Sequence, residues 1–222
     1  MDWRSILMEA AKSLFLILSA LFPIVDPLGG SPIFLTMTRD YSPSTRRALS
    51  LRIAINSFFL LVGSYFIGTH ILSFFGISLP VVQVGGGLIV ISTGWALLKQ
   101  GNDGDQKTMK KRIEPKDPFH NAFYPLTLPL TVGPGSISVA ITLGANAPHH
   151  QGINLLGILI AIIGSALLAV SIFLCYGFAH RLAGALGATG MTVIMQLTSF
   201  LLVCIGVQIL WNGARALLVT LR

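Results

Sequence analysis

The chain has 222 residues, of which 53% are hydrophobic and only 10% charged, with 15 Lys plus Arg against 8 Asp plus Glu. A water-soluble domain carries about 25% charged residues, so the composition excludes one and points to a polytopic membrane protein folded as a single membrane domain. The formal net charge of +7 is read as charge on cytoplasmic loops, not as a nucleic-acid surface.

Six apolar segments follow one another: 13–38, 53–75, 79–98, 119–145, 153–179 and 191–214. Each is long enough to cross a bilayer, which takes roughly 20 residues, and the expected fold is all-α. No small-residue cleavage site precedes the first proline, so the first segment reads as a retained helix and not a secretory signal. That segment contains Phe22-Pro-Ile-Val-Asp-Pro-Leu-Gly-Gly-Ser-Pro32. Pro23, Pro27 and Pro32 each remove a backbone donor and clash one turn back. A straight helix cannot pass through them. Broken backbone survives at membrane depth only where protein or a polar cavity satisfies the freed groups.

The fourth segment repeats the pattern as Tyr124-Pro-Leu-Thr-Leu-Pro-Leu-Thr-Val-Gly-Pro134. Pro125, Pro129 and Pro134 match Pro23, Pro27 and Pro32 at a single offset of 102 residues. Both breaks fall near the middle of their segments, so spans one and four are expected to be broken at mid-membrane.

The basic residues set the expected topology. Arg39, Arg46, Arg47 and Arg52 follow segment one, Lys99, Lys107, Lys110, Lys111, Arg112 and Lys116 follow segment three, and Arg181 follows segment five. These are eleven of the fifteen, and the positive-inside rule puts that side in the cytoplasm and both termini outside. Residues 1–98 then form a first three-helix repeat, 99–118 a cytoplasmic linker, and 119–222 a second repeat. An odd number of spans per half inserts the halves in opposite orientation, the 3+3 inverted repeat of secondary transporters. Gln83 to Gly94 and Gln196 to Gly206 echo each other in spans three and six.

Asp26 is the one acidic residue inside a span. An intramembrane carboxylate costs roughly 2.5–3.5 kcal/mol on insertion scales. It reads either as a proton- or cation-handling group or as a cap accepting from Leu28 or Gly29. Gly30-Ser31-Pro32 and Gly133-Pro134-Gly135-Ser136 both read as helix restarts, with Ser31 as a cap and proline in the first turn. Two such N-termini at mid-depth would present free N–H groups to a small anionic moiety. Asp26, Gly29, Gly30, Ser31, Thr127, Thr131, Gly133, Gly135 and Ser136 are the candidate substrate-binding residues, with Gln83 and Gln196 as further candidates for the cavity lining. Gly85-Gly86-Gly87 is expected to bring span three close to another backbone. Cys175 and Cys204 read as free thiols. His149-His150 lacks further ligands, so no metal is expected.

The chain has no nucleophile elbow, no zinc-protease motif and no phosphate loop. No enzyme and no cofactor is expected, and transport would run on gradients.

These motifs, with Phe200-Leu-Leu-Val-Cys-Ile-Gly-Val-Gln-Ile-Leu-Trp-Asn-Gly213, resemble the MarC family of bacterial and archaeal inner-membrane proteins across essentially the whole chain. The resemblance implies a place in the lysine-exporter superfamily of small-metabolite transporters, with a member assigned to small neutral amino acids. It carries over the stretches Pro23 to Pro32 and Pro125 to Gly135 as the site. The family's first motif accepts Asn where this chain has Asp26, and many members have Arg where it has Gln83 and Gln196. The expected function is gradient-driven transport of small neutral amino acids, one repeat rocking against the other. The alternative is a non-transporting sensor or scaffold that binds a lipid or small regulator. Expected partners are a small-molecule substrate and membrane lipid, and the apolar outer surface equally suits a second copy in a homo-oligomer.

Overall fold

The computed structural model describes residues 3–100, 119–147 and 155–220. Among these every regular element is helical. The helices are α1 (Trp3–Val25), α2 (Pro27–Met37), α3 (Pro43–Phe74), α4 (Leu79–Gln100), α5 (Pro134–Ala145), α6 (Leu155–Gly177) and α7 (Ala179–Thr220). A tight turn, His120–Ala122, and a wide helical stretch, Phe123–Thr131, lead into α5. Five candidate membrane spans result, or six if the bent pair Phe123–Thr131 and Pro134–Ala145 is counted as one. Phe15, Phe59, Phe74 and Trp211 project from the outer surface, as lipid-facing side chains would. Most of the linker (Lys107, Lys110, Lys111, Arg112 and Lys116) and His149-His150 lie outside the described residues.

Several helices outrun their apolar segments. Ser42 caps α3 by accepting the Thr45 N–H at 3.2 Å, with Pro43 in the first turn. Arg46, Arg47 and Arg52 therefore lie on a helix and not in a loop. Arg46 donates from Nε to the Thr38 carbonyl at 3.0 Å and from Nη2 to that of Arg39 at 3.1 Å. It thus supplies the donors that the end of α2 lacks. Arg181 likewise sits on a helical arm of α7, which ends at Gly187 with φ 66°. Arg, Ala and Leu are good helix formers, so the helix continues where hydropathy stops.

The packing interleaves the two halves of the chain. α3 packs on α6 and α5, α1 on α6 and α5, α2 on α6 and α7, and α4 on α7 and α5. These interfaces all join one half to the other. Among the described residues, no two of α1 to α4 pack extensively on each other.

α4 and α7 form the most extensive pair, antiparallel and glycine-lined. A Cβ on Gly87 would lie 2.8 Å from Gly206 O and 2.6 Å from Leu210 N. A Cβ on Gly206 would lie 2.9 Å from Gly87 O and 2.8 Å from Ile91 N. Each glycine thus meets the other's carbonyl and the amide one turn beyond it. The same reciprocity relates Gly94, against Ser199 O and Val203 N, to Gly213, against Pro80 O and Val84 N. Gly87 fulfils the expected close approach; Gly86 packs instead on Ser138, and Gly85 faces open space.

Two buried clusters hold the other elements together. One joins Val25, Phe34, Leu49, Ile53, Leu126 and Tyr176; the second joins Leu21, Leu61, Val132, Val139, Ala161 and Leu168.

Candidate functional site

The first break lies at Asp26, the one described non-glycine residue with positive φ, at φ 43° and ψ 63°. Its Oδ1 accepts the Gly29 N–H at 2.9 Å, and Pro27 opens α2. This corrects the expected restart at Ser31. The Ser31 hydroxyl donates instead to the Leu28 carbonyl at 2.9 Å, and Pro32 sits within α2. Asp26-Pro27 is the same cap-then-proline pattern one turn earlier, and the earlier cap wins. The break is nearly in line, since Leu7–Met37 still qualifies as one 31-residue span.

The second break is sharper. Pro125 and Pro129 follow cis peptide bonds, and Tyr124 and Leu128 leave helical backbone. Asp26 and Leu128, each directly before a matched proline, are therefore both non-helical. Two threonines complete the hydrogen bonding: Thr127 Oγ1 donates to the Ala122 carbonyl at 2.7 Å and Thr131 Oγ1 to that of Leu126 at 2.8 Å. The axis then turns by 63° into α5. Gly133, extended at φ −91° and ψ 177°, precedes Pro134 as expected and has no side chain to cap the helix. The first-turn N–H groups of Gly135 and Ser136 therefore lack the cap that Asp26 gives α2.

Both breaks border one cavity of about 210 Å³. Asp26, Gly30, Thr131, Gly133, Gly135 and Ser136 line it, with Pro129 and Pro134. Its remaining wall is largely apolar, from Ile24, Val25, Ile33 and Leu130, then Ile89, Val90, Thr93 and Leu97 of α4, and Leu202 of α7. Gly135 is there because a Cβ would run into the Val90 side chain.

Other candidates fall outside the lining. Gly29 lies behind it, where a Cβ would collide with Asp26 Oδ2 and stand 2.6 Å from Thr198 Oγ1. Ser31 and Thr127 are buried supports, and Pro23 and Pro125 also lie away from the lining. Gln83 reaches Thr142 at 3.4 Å, while Gln196 faces a separate open groove with Trp95, Leu98 and Lys99. Asn56 bonds Thr127 at 3.4 Å, and Gln208 pairs with Asn212 along α7.

Two side chains that the sequence did not single out complete the site. Tyr176 of α6 is 1% exposed and stacks on Phe34 of α2 with centroids 4.8 Å apart. Its hydroxyl lies 3.0 Å from Thr131 Oγ1. The single Thr131 proton goes to Leu126, so Tyr176 donates. The same hydroxyl abuts Gly30, where a Cβ would meet it. Tyr176 therefore clasps the two motifs together. Thr198 of α7 stands beside Asp26, since a Cβ on Gly29 would meet both side chains, and its hydroxyl donates to the Ile194 carbonyl at 2.8 Å. Among the described residues no group of three or more His, Cys, Asp or Glu could hold a metal, and both cysteines are free.

The family model described as "MarC family integral membrane protein" matches residues 11–218. The chain belongs to the MarC family. Inner membrane protein MarC of Citrobacter koseri is 31% identical over 223 residues, covering 96% of this chain and 99% of the relative. Membrane protein YvbG of Bacillus subtilis is 29% identical over 199 residues, covering 89% and 92%. No solved structure matches the chain. Asn in place of Asp26, as the MarC resemblance allows, keeps both local requirements: Asn and Asp tolerate a left-handed backbone and carry an oxygen for the Gly29 N–H.

Proposed function

We propose that the protein is a gradient-driven secondary transporter of small zwitterions, in the first place small neutral amino acids. The observation that carries this reading is the cavity shared by both proline motifs. It offers a carboxylate, Asp26, for an ammonium group and the uncapped first turn of α5 for a carboxylate, with apolar walls for a short side chain. At about 30 Å³ of liquid volume per water, 210 Å³ admits a solute of a few heavy atoms. The binding groups lie on broken backbone between apolar helices, the arrangement that transporters built from discontinuous helices use.

The inverted-repeat reading draws support from the seam. Exchanging Gly87 with Gly206, and Gly94 with Gly213, leaves the contacts unchanged, as a two-fold axis in the membrane plane would. α2 on α7 and α5 on α4 also correspond. On this reading both breaks sit at mid-membrane, both termini lie outside, and the protein resides in the inner membrane like the Citrobacter koseri relative.

Binding of alanine and glycine to the purified protein, by calorimetry in mild detergent, tests the site. The native chain is expected to bind, and Asp26→Asn and Gly133→Ala/Pro134→Ala to lose most of the heat. Unchanged binding in both variants would overturn the assignment. No binding to the native chain, with a protein partner retained on pull-down, would favour the sensor or scaffold.

A further inference from the structure

The interleaved packing leaves open which parts can move. Neither buried cluster contains a residue of α4. From α7 they draw only Ala179, on the arm before Gly187, and Ile209 at the rim. α4 and the remainder of α7 are instead tied backbone to backbone through four reciprocal glycines. Cluster membership thus sets a body of α1, α2, α3, α5, α6 and the Phe123–Thr131 stretch apart from a two-helix unit of α4 with α7 beyond Gly187, and the two meet along α4–α5 and α2–α7.

The described connections between the two support that division. α3 passes into α4 through Gly76, and the α7 arm passes into α7 proper through Gly187. Both glycines have φ 66°, are the only glycines with positive φ among the described residues, and have nothing within 4 Å of a built Cβ. Hinges are element-terminal positions that absorb backbone change, and these two glycines stand where one helical stretch passes into the next.

The cavity lies along this boundary, with Ile89, Val90, Thr93, Leu97 and Leu202 on the two-helix side and both motifs on the other. Among the described residues, Ser138 Oγ donates to the Val82 carbonyl at 3.0 Å and Gln83 reaches Thr142 at 3.4 Å across this boundary. The Thr198 hydroxyl stands beside Asp26 but donates within its own helix, to the Ile194 carbonyl at 2.8 Å.

We infer that α4 and α7 beyond Gly187 move as one unit, pivoting at Gly76 and Gly187, and carry their wall of the cavity toward and away from the two motifs. The inference deepens the transporter reading and rests on it only for what the movement serves.

Distances between spin labels in liposome-reconstituted full-length protein, with Cys175 and Cys204 replaced by alanine, test it. Leu88→Cys with Phe200→Cys reports within the unit, Phe59→Cys with Leu167→Cys within the body, and Leu88→Cys with Phe59→Cys between them. The first two pairs are expected to give one narrow separation each and the third two separations. A single narrow separation for the third pair, with and without 10 mM alanine, would overturn the inference even if the liposomes transport. Two separations within the Leu88–Phe200 pair would overturn it as well. Two separations for the third pair alone, in liposomes that carry no flux, would uphold the movement and sink the transporter reading.

Discussion

Gly85 and Gly87 lie two residues apart on α4, and alanine at the two positions should act in opposite directions. The gain in helix propensity, about 0.8–1.0 kcal/mol, is common to both and cancels in the comparison. At Gly85 nothing lies within 4 Å of a new Cβ, so Gly85→Ala should stabilise by roughly that propensity gain. At Gly87 the Cβ would stand 2.6 Å from Leu210 N and 2.8 Å from Gly206 O. Reaching an ordinary contact of about 3.5 Å requires the two backbones to part by roughly 0.9 Å. Neither atom is the end of a flexible side chain, and such overpacking costs about 1–3 kcal/mol. Gly87→Ala should therefore be less stable than Gly85→Ala by that amount. Gly206→Ala should behave like Gly87→Ala, and the double variant should cost less than the sum, since one separation makes room for both methyl groups. Unfolding midpoints in a mild detergent measure all four. Equal midpoints for Gly85→Ala and Gly87→Ala would refute the seam and the reciprocal packing drawn from it.

Other substitutions probe the site and the helix ends. Tyr176→Phe keeps the stack on Phe34 and removes one buried hydrogen bond, so it should cost about 0.5–1.5 kcal/mol; Tyr176→Ala should cost about 3–5 kcal/mol. Asp26→Ala loses the cap of α2 and should cost about 0.5–2 kcal/mol, whereas Asp26→Asn keeps the cap and should unfold within about 0.5 kcal/mol of the native chain. Arg46→Gln should expose the last turn of α2 to faster hydrogen exchange at Phe34 and Thr38 while leaving exchange in α6 unchanged.

The matched prolines pointed to the two stretches that border the cavity, but not every one breaks its helix: the first break falls at Asp26-Pro27, while Pro23 and Pro32, expected as breaks, sit inside α1 and α2. Gly133-Pro134 restarted its helix as read. Ser31-Pro32 did not, because Asp26-Pro27 carries the same cap pattern one turn earlier and Asp tolerates the left-handed angles. The helical arms bearing Arg46 and Arg181 escaped a reading based on hydropathy, since charge ends an apolar run without ending a helix. Tyr176 had a faint signal, as a tyrosine amid an apolar run needs a partner for its hydroxyl. Thr198 had none, because its place beside Asp26 brings together residues far apart in the chain. The interleaving was invisible for the same reason: which helix faces meet is a property of packing, and apolar faces look alike in sequence.

The central claim is that Asp26 and the open start of α5 bind a zwitterion that the protein carries across the membrane. Counterflow of labelled alanine into proteoliposomes, for the native chain and for Asp26→Asn matched in fold by its unfolding midpoint, tests it most directly. The account predicts accumulation driven by internal unlabelled alanine in the native chain, and at least a tenfold loss in Asp26→Asn. Equal counterflow in both would remove Asp26 from the site, and absence of counterflow for alanine, glycine and the other small neutral amino acids in the native chain would contradict the account itself.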